Sequence, residues 1–145
     1  MSDRALPLSQ QLCFALYSAN HAMMRVYRPL LLELKLTYPQ YLVLLALWEN
    51  DTRTVGDLGK TLSLESNTLT PLLKRMEAAG LLERARSKED ERMVTVKLTP
   101  KGAALESESL HLVECVSSAA TGEDIELTEL RDQIAALAHR LNAAS

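Results

Sequence analysis

Between Ser63 and Gly80 the chain reads SLESNTLTPLLKRMEAAG, a stretch that fits a helix with two unlike faces. Leu69, Leu72, Leu73 and Met76 recur at the i, i+3, i+4, i+7 spacing of one helical stripe and predict a buried face. The opposite face carries Ser66, Asn67, Thr68, Thr70, Lys74 and Arg75, with no acid among them before Glu77. Short polar groups reach base edges and cations reach phosphates, so this face suits either the major groove of DNA or plain solvent, as on most amphipathic helices, and its surroundings decide between them. Gly80 supplies a left-handed stop.

The neighbours of that helix narrow the fold. Thr54 is positioned to cap a short helix, Val55 to Leu62, with Val55, Leu58 and Leu62 turned inward. Two helices joined by so short a turn make a helix-turn-helix. Leu81 to Ala85 and Met93 to Leu98 then read as strands, the second alternating Val94, Val96 and Leu98 with Thr95 and Lys97. The tip between them, Arg86-Ser87-Lys88-Glu89-Asp90-Glu91-Arg92, is charged. A hairpin after a recognition helix is a wing, and Arg86, Lys88 and Arg92 are its candidates for the DNA backbone or minor groove. Arg92 has a competing role, because Asp90 two positions away can pair with it and brace the wing.

Long helices are predicted on both sides of this module. Leu8, Leu12, Leu16, Ala19, Met23, Val26, Leu30 and Leu34 keep a 3-4 spacing over more than seven turns, with a kink or break expected at Pro29. Thr37 and Gln40 form a capping-box pattern for a second helix, with Leu42, Leu45 and Trp48 as its buried stripe and Glu49-Asn50-Asp51 as its end. Thr99 followed by Pro100 starts another helix, through about Ser117, and Gly122 breaks it. A last helix, Leu127 to Asn142, carries Leu130, Ile134, Leu137 and Leu141. The outer stripes exceed what the central module can cover. A second copy would bury them at about 25 cal/mol per Å² of apolar surface, and a two-fold dimer predicts a palindromic DNA site. The fold class expected is mainly α with a small β-hairpin wing. Residues 1–145 form one domain, with 8–36 and 100–145 as dimerisation helices and 37–99 as the winged helix-turn-helix.

The net charge of −3 is set by the C-terminal third, where residues 101–145 hold three bases against eight acids. Residues 60–92 hold seven bases against six acids, so local placement rather than the total decides whether DNA is a partner. No apolar run reaches a membrane span and Met1 to Pro7 lacks the apolar core of a leader, which predicts a cytoplasmic chain. Two cysteines, Cys13 and Cys115, are too few for a secreted disulfide framework. His111 and Cys115, four apart on a helix, are half of a possible metal site, but His21 and His139 add no ligand spacing. No phosphate loop, paired-carboxylate motif or Ser/His/Asp pattern is present, so no catalytic residue, metal or cofactor is expected.

The run from Leu62 to Arg84, with its TLTPLLKRME core and the Gly80-Leu81-Leu82 that follows, together with Asp90-Glu91-Arg92, resembles the MarR family of winged-helix regulators. Within that family, Leu12-Cys13-Phe14-Ala15-Leu16-Tyr17-Ser18-Ala19 is similar to the organic hydroperoxide resistance regulators, the OhrR branch. The resemblance implies a DNA-binding repressor in which Cys13 is the peroxide-sensing thiol and Tyr27 and Tyr38 hydrogen-bond to it. Cys115 would match the second thiol of the two-cysteine subgroup, giving an intersubunit Cys13–Cys115 disulfide. By residues alone Cys13 also reads as a small core residue. Tyr27 lies about 21 Å along a straight helix from Cys13 at 1.5 Å per residue, so any contact between them must cross to another subunit. Two alternatives stay open: a repressor switched by a small phenolic ligand or a metal, and a thiol peroxidase using Cys13, although one hairpin is not the βαβ framework such an enzyme needs.

Overall fold

The computed structural model describes residues 4–145; the first three residues of the Met1–Pro7 segment lie outside them. The order is α1 Leu12–Glu33, α2 Tyr38–Glu49, β1 Arg53–Thr54, α3 Val55–Leu62, α4 Ser66–Ala78, β2 Leu82–Arg86, β3 Val94–Leu98, α5 Pro100–Ala120 and α6 Leu127–Ala144. This is the predicted mainly helical winged helix-turn-helix, with one addition. The sheet has three strands in the order β1-β3-β2, all antiparallel, with Arg53 opposite Val96 on one edge and Arg84 opposite Val96 on the other. The two-residue β1 carries no periodicity of its own and exists only because β3 offers it an edge.

The capping chemistry is as read from the sequence. Thr37 Oγ1 accepts from Gln40 N and Gln40 Oε1 accepts from Thr37 N, closing the box that opens α2. Thr54 caps α3 through Asp57 N, and Thr99 caps α5 through Gly102 N with Pro100 at the first helical position.

Several boundaries differ from the expected ones, the strands and the last helix by only one or two residues. The first helix begins at Leu12, not near Leu8, because Gln11 is extended and Leu8–Gln10 forms a separate 3-10 turn. Pro29 does not break α1. It is exposed, so the Arg25 carbonyl it leaves without an amide sits on the solvent side, and the helix runs on until Lys35 turns left-handed at φ 58°. The recognition helix begins at Ser66 because Ser63 is the left-handed cap of α3, with Leu64 N donating to Gly59 O. A Cβ on Gly59 would lie 2.9 Å from the Leu64 carbonyl oxygen, so this tight turn needs glycine. Helix α5 runs to Ala120, past the expected end near Ser117.

The core sits under the central module. Leu44, Leu47, Leu58, Leu69, Leu73, Met76, Leu82 and Val96 are fully buried. Each such side chain contributes about 1.5–3 kcal/mol of burial. Helix α2 differs from its predicted stripe: Tyr41, Val43, Leu44, Ala46 and Leu47 are buried, Leu42 and Trp48 are half-buried, and Leu45 is exposed. It is apolar all round, so the 3-4 spacing could not choose a face. Trp48 instead uses its polar edge, Nε1 donating to Gly102 O at 2.9 Å and tying α2 to α5.

The periphery is different. Leu12, Phe14, Tyr17 and Met23 of α1, Leu110 and Val113 of α5, and Leu130, Ile134 and Leu141 of α6 are all exposed. Helix α6 has no buried residue. Among the described residues no single helix is long and apolar enough to cross a membrane.

Candidate functional site

Helix α4 presents its polar face as its spacing required. Ser66, Asn67, Thr68, Lys74 and Arg75 are exposed, and Thr70 is half-buried. Pro71 lies on this exposed side, where the Asn67 carbonyl it leaves unpaired can be hydrated. Behind the face, Leu69, Leu72, Leu73 and Met76 anchor the helix to the core. The C-terminus is held from outside: Gly80 has φ 78°, Thr99 Oγ1 donates to Gly80 O at 2.6 Å, and Lys101 Nζ donates to Ala79 O at 2.9 Å. Helix α4 is therefore fixed at both its buried face and its end.

The wing is braced to α4 by an ion pair that the sequence reading missed. Glu77 Oε2 accepts from Arg84 N at 2.9 Å and Glu77 Oε1 accepts from Arg84 Nη2 at 3.1 Å. The backbone amide of Arg84, then its guanidinium, hold the Glu77 carboxyl below its ordinary value. An acid in the last turn of a helix, a glycine stop and a basic residue in the next strand form the available signal. At the tip, Arg86 Nη1 donates to Glu91 O at 2.9 Å. Arg92 N donates to Asp90 Oδ1 at 3.0 Å, and the Arg92 side chain, 92% exposed, lies 3.4 Å from the same carboxylate. Asp90 therefore shapes the wing without enclosing Arg92, and Lys88 is exposed beside it. A groove of about 380 Å³ runs between helix-turn-helix and wing, lined by residues that include Thr54, Gly56, Thr70, Arg84 and Arg92.

Cys13 and Tyr27 lie on α1, Tyr38 opens α2 and Cys115 lies on α5. Cys13 is exposed and is the second residue of α1, in the turn whose amides lack helical acceptors and favour a nearby negative charge. Tyr27 and Tyr38 meet each other, with ring centroids 5.0 Å apart, and both reach the buried Tyr41. Burial, followed by the neighbouring Tyr38 and Tyr41, pushes the Tyr27 phenol up to about 12, and burial raises Tyr38 as well. Both remain hydroxyl donors at neutral pH. They line a pocket of about 280 Å³ with Met24, Arg28, Leu31 and Thr37; neither Arg28 nor Thr37 has a spacing that marks it as a site residue. Tyr27 lies about 21 Å along α1 from Cys13 and Tyr38 packs against Tyr27, which keeps both tyrosines away from Cys13 of the same chain. Cys115 is half-buried on α5, its Sγ 3.4 Å from Nε2 of His111. Among the described residues no three metal-ligating side chains cluster.

A winged helix-turn-helix with a polar, cation-bearing recognition face defines a DNA-binding regulator. Comparison with known proteins gives the family. A family model described as transcriptional regulator SarA/Rot matches residues 25–108. The organic hydroperoxide resistance transcriptional regulator of Bacillus subtilis (strain 168) is 48% identical over 83% of this chain and 83% of its own. The HTH-type transcriptional regulator TtmR of Methylorubrum extorquens (strain PA1) is 47% identical over 97% of this chain and 72% of its own. AbfR of Staphylococcus epidermidis, solved reduced and bound to DNA, is 35% identical over 94% of each chain with a TM-score of 0.80; in its disulfide form the TM-score is 0.65, over 94% of this chain and 91% of that one. The chain belongs to the MarR-type winged-helix transcriptional regulators, the group that includes SarA/Rot. These relatives are DNA-binding regulators and not enzymes, which sets the thiol peroxidase alternative aside.

Proposed function

We propose that the chain is a cytoplasmic repressor that binds palindromic operator DNA as a homodimer and is released when organic hydroperoxide oxidises Cys13. Residues 8–36 and 100–145 form the dimer and 37–99 read DNA, through Ser66, Asn67, Thr68, Thr70, Lys74 and Arg75 in the major groove and Arg86, Lys88 and Arg92 on the backbone or minor groove. The observation that carries the redox part is a free thiol exposed in the first turn of α1, in a chain closer in shape to reduced, DNA-bound AbfR than to its disulfide form. Tyr27 and Tyr38 then supply phenol hydrogen bonds to the Cys13 sulfur across the dimer, favouring the thiolate that attacks peroxide. The sulfenic acid condenses with Cys115 of the other subunit. Joining them requires Cα atoms within about 7 Å, and any larger separation in the reduced dimer moves the recognition helices off half-sites about 34 Å apart.

A mobility shift with and without organic hydroperoxide tests the reading. Wild type should release DNA on oxidation and rebind after dithiothreitol, whereas Cys13→Ser should bind equally well and stay bound. A serine variant that still dissociates removes Cys13 from the sensor role. A second reading has one observation in its favour, the 280 Å³ pocket beside Tyr27, Tyr38 and Arg28, which suits a small phenolic ligand. Release of the Cys13→Ser protein by a phenolic acid alone would select it.

A further inference from the structure

We infer that His111 is the positioning base of Cys115, holding the second thiol ready to attack the oxidised sensor; this rests on the reading of Cys13 and Cys115 as a disulfide-forming pair. The two residues are one helical turn apart on α5, so their side chains share a face, and Sγ lies 3.4 Å from Nε2 against 3.9 Å from Nδ1. The nearer nitrogen is the one that takes the proton. Their neighbours Leu112 and Val116 are buried in the core, which fixes the helix under both side chains, while within one chain His111 is exposed and Cys115 half-buried. Among the described residues no third metal-ligating side chain joins the pair. A thiol against an imidazole is, by contrast, a complete unit for one chemical task, making a thiolate on demand.

The step balances as follows. The Cys13 thiolate attacks the outer oxygen of the hydroperoxide, the O–O bond breaks and Cys13 becomes a sulfenic acid, while the departing alkoxide takes from solvent the proton that the Cys13 thiol had given up and leaves as an alcohol. The Cys115 thiol then passes its proton to Nε2 of His111, and its sulfur attacks the Cys13 sulfur. The new S–S bond forms as the S–O bond breaks, and the departing hydroxide takes the proton from His111 and leaves as water. His111 ends neutral, ready for the reverse exchange by a thiol reductant.

Two measurements on full-length protein test the assignment. In a Cys13→Ser background Cys115 is the only thiol, and its alkylation by iodoacetamide should be several-fold slower when His111 is replaced by Gln, which keeps a polar group near the sulfur without a base. Added imidazole should restore part of the rate, which a purely structural defect would not allow, and circular dichroism melting checks that the variant is folded. With both cysteines present and tert-butyl hydroperoxide as oxidant, loss of the Cys13 thiol should proceed at the wild-type rate in His111→Gln and dimedone should trap more of the longer-lived sulfenic acid, while the covalent dimer on a non-reducing gel should form about 100-fold more slowly, the lower range for a positioned base. Equal alkylation rates, or equal disulfide rates, overturn the role of His111 alone. A wild type that reacts with dimedone but never forms the disulfide overturns Cys115 as the second thiol and the resolving role of His111 with it, even if alkylation still depends on His111.

Discussion

Helices α4 and α6 carry the same kind of apolar stripe and meet opposite fates. In α4 the residues Leu69, Leu73 and Met76 have no exposed surface, and Leu72 keeps 5%. In α6 Leu130 is 39% exposed, Ile134 42% and Leu141 59%, and no residue is buried. One chain completes the winged helix-turn-helix but leaves α6 without a floor. An amphipathic helix states that it needs a partner surface, and only the assembled molecule says whether that surface is its own or another copy's.

The contrast predicts unlike responses to damage. The largest effect should follow Leu73→Ala, which empties a fully buried position between helix-turn-helix and wing and should cost about 3–5 kcal/mol in urea unfolding. If the loss stays under about 1 kcal/mol, the central module is not the tight core described. Next comes Ile134→Glu on α6. Secondary structure should survive, because nothing in one chain buries that side chain, but a carboxylate in the proposed dimer seam should raise the dissociation constant about 100-fold or more. Sedimentation at micromolar protein measures it. A variant that remains as dimeric as wild type moves the interface away from α6.

The same contrast explains what is legible in the sequence. Elements closed by local chemistry are readable: the Thr37–Gln40 box, Pro100 after Thr99, and the Gly80 stop each satisfy backbone groups within a few residues. Those that depend on distant partners are not. β1 has two residues and takes its identity from Thr95 and Val96 far down the chain. Helix α2 suggests the wrong face because its apolar residues surround it, and Leu45 rather than Val43 ends in solvent. Pro29 reads as a break because the rule concerns its missing amide, whereas its exposed position decides the cost. At the candidate site, the polar face of α4 is legible by spacing, but the Glu77–Arg84 brace crosses a turn between unlike elements. The rise from Cys13 to Tyr27 follows from helix geometry, while the meeting of Tyr27 with Tyr38 needs the packing of α1 on α2.

A smaller effect should come from the reading face itself. Lys74→Ala or Arg75→Ala leaves folding intact, since both are exposed on the side away from the core. Each should weaken DNA binding and lower the slope of log affinity against log salt by about 0.9, the share of one phosphate that no longer has a protein cation beside it. Unchanged affinity and slope for both variants would place the DNA elsewhere, and would break the link between a finished core and a functional outer face.

The smallest effect concerns how firmly the wing belongs to the finished module. Glu77 carries two bonds from Arg84, and Arg84 Nε is buried with no partner among the described residues, so Glu77 is the acceptor that steadies this guanidinium. Because the folded carboxyl is held below its ordinary 4.5, the brace contributes its full stabilisation above that pH and loses it as pH falls through the lower, folded value. The Glu77 side chain is partly exposed, so solvent screens the pair and the effect is modest. Glu126, which caps α6 by accepting from the amides of Thr128 and Glu129, is lowered for the same kind of reason and contributes to any acid transition of the wild type. The difference between wild type and Glu77→Gln removes that contribution. Plotted against pH, the gap in melting temperature should be constant from about pH 7 to pH 5 and narrow below 4.5. A gap that is flat to about pH 3 would mean the charge of Glu77 does nothing for the wing, and that β2 and β3 are held to α4 by the burial of Leu82 and Val96 alone.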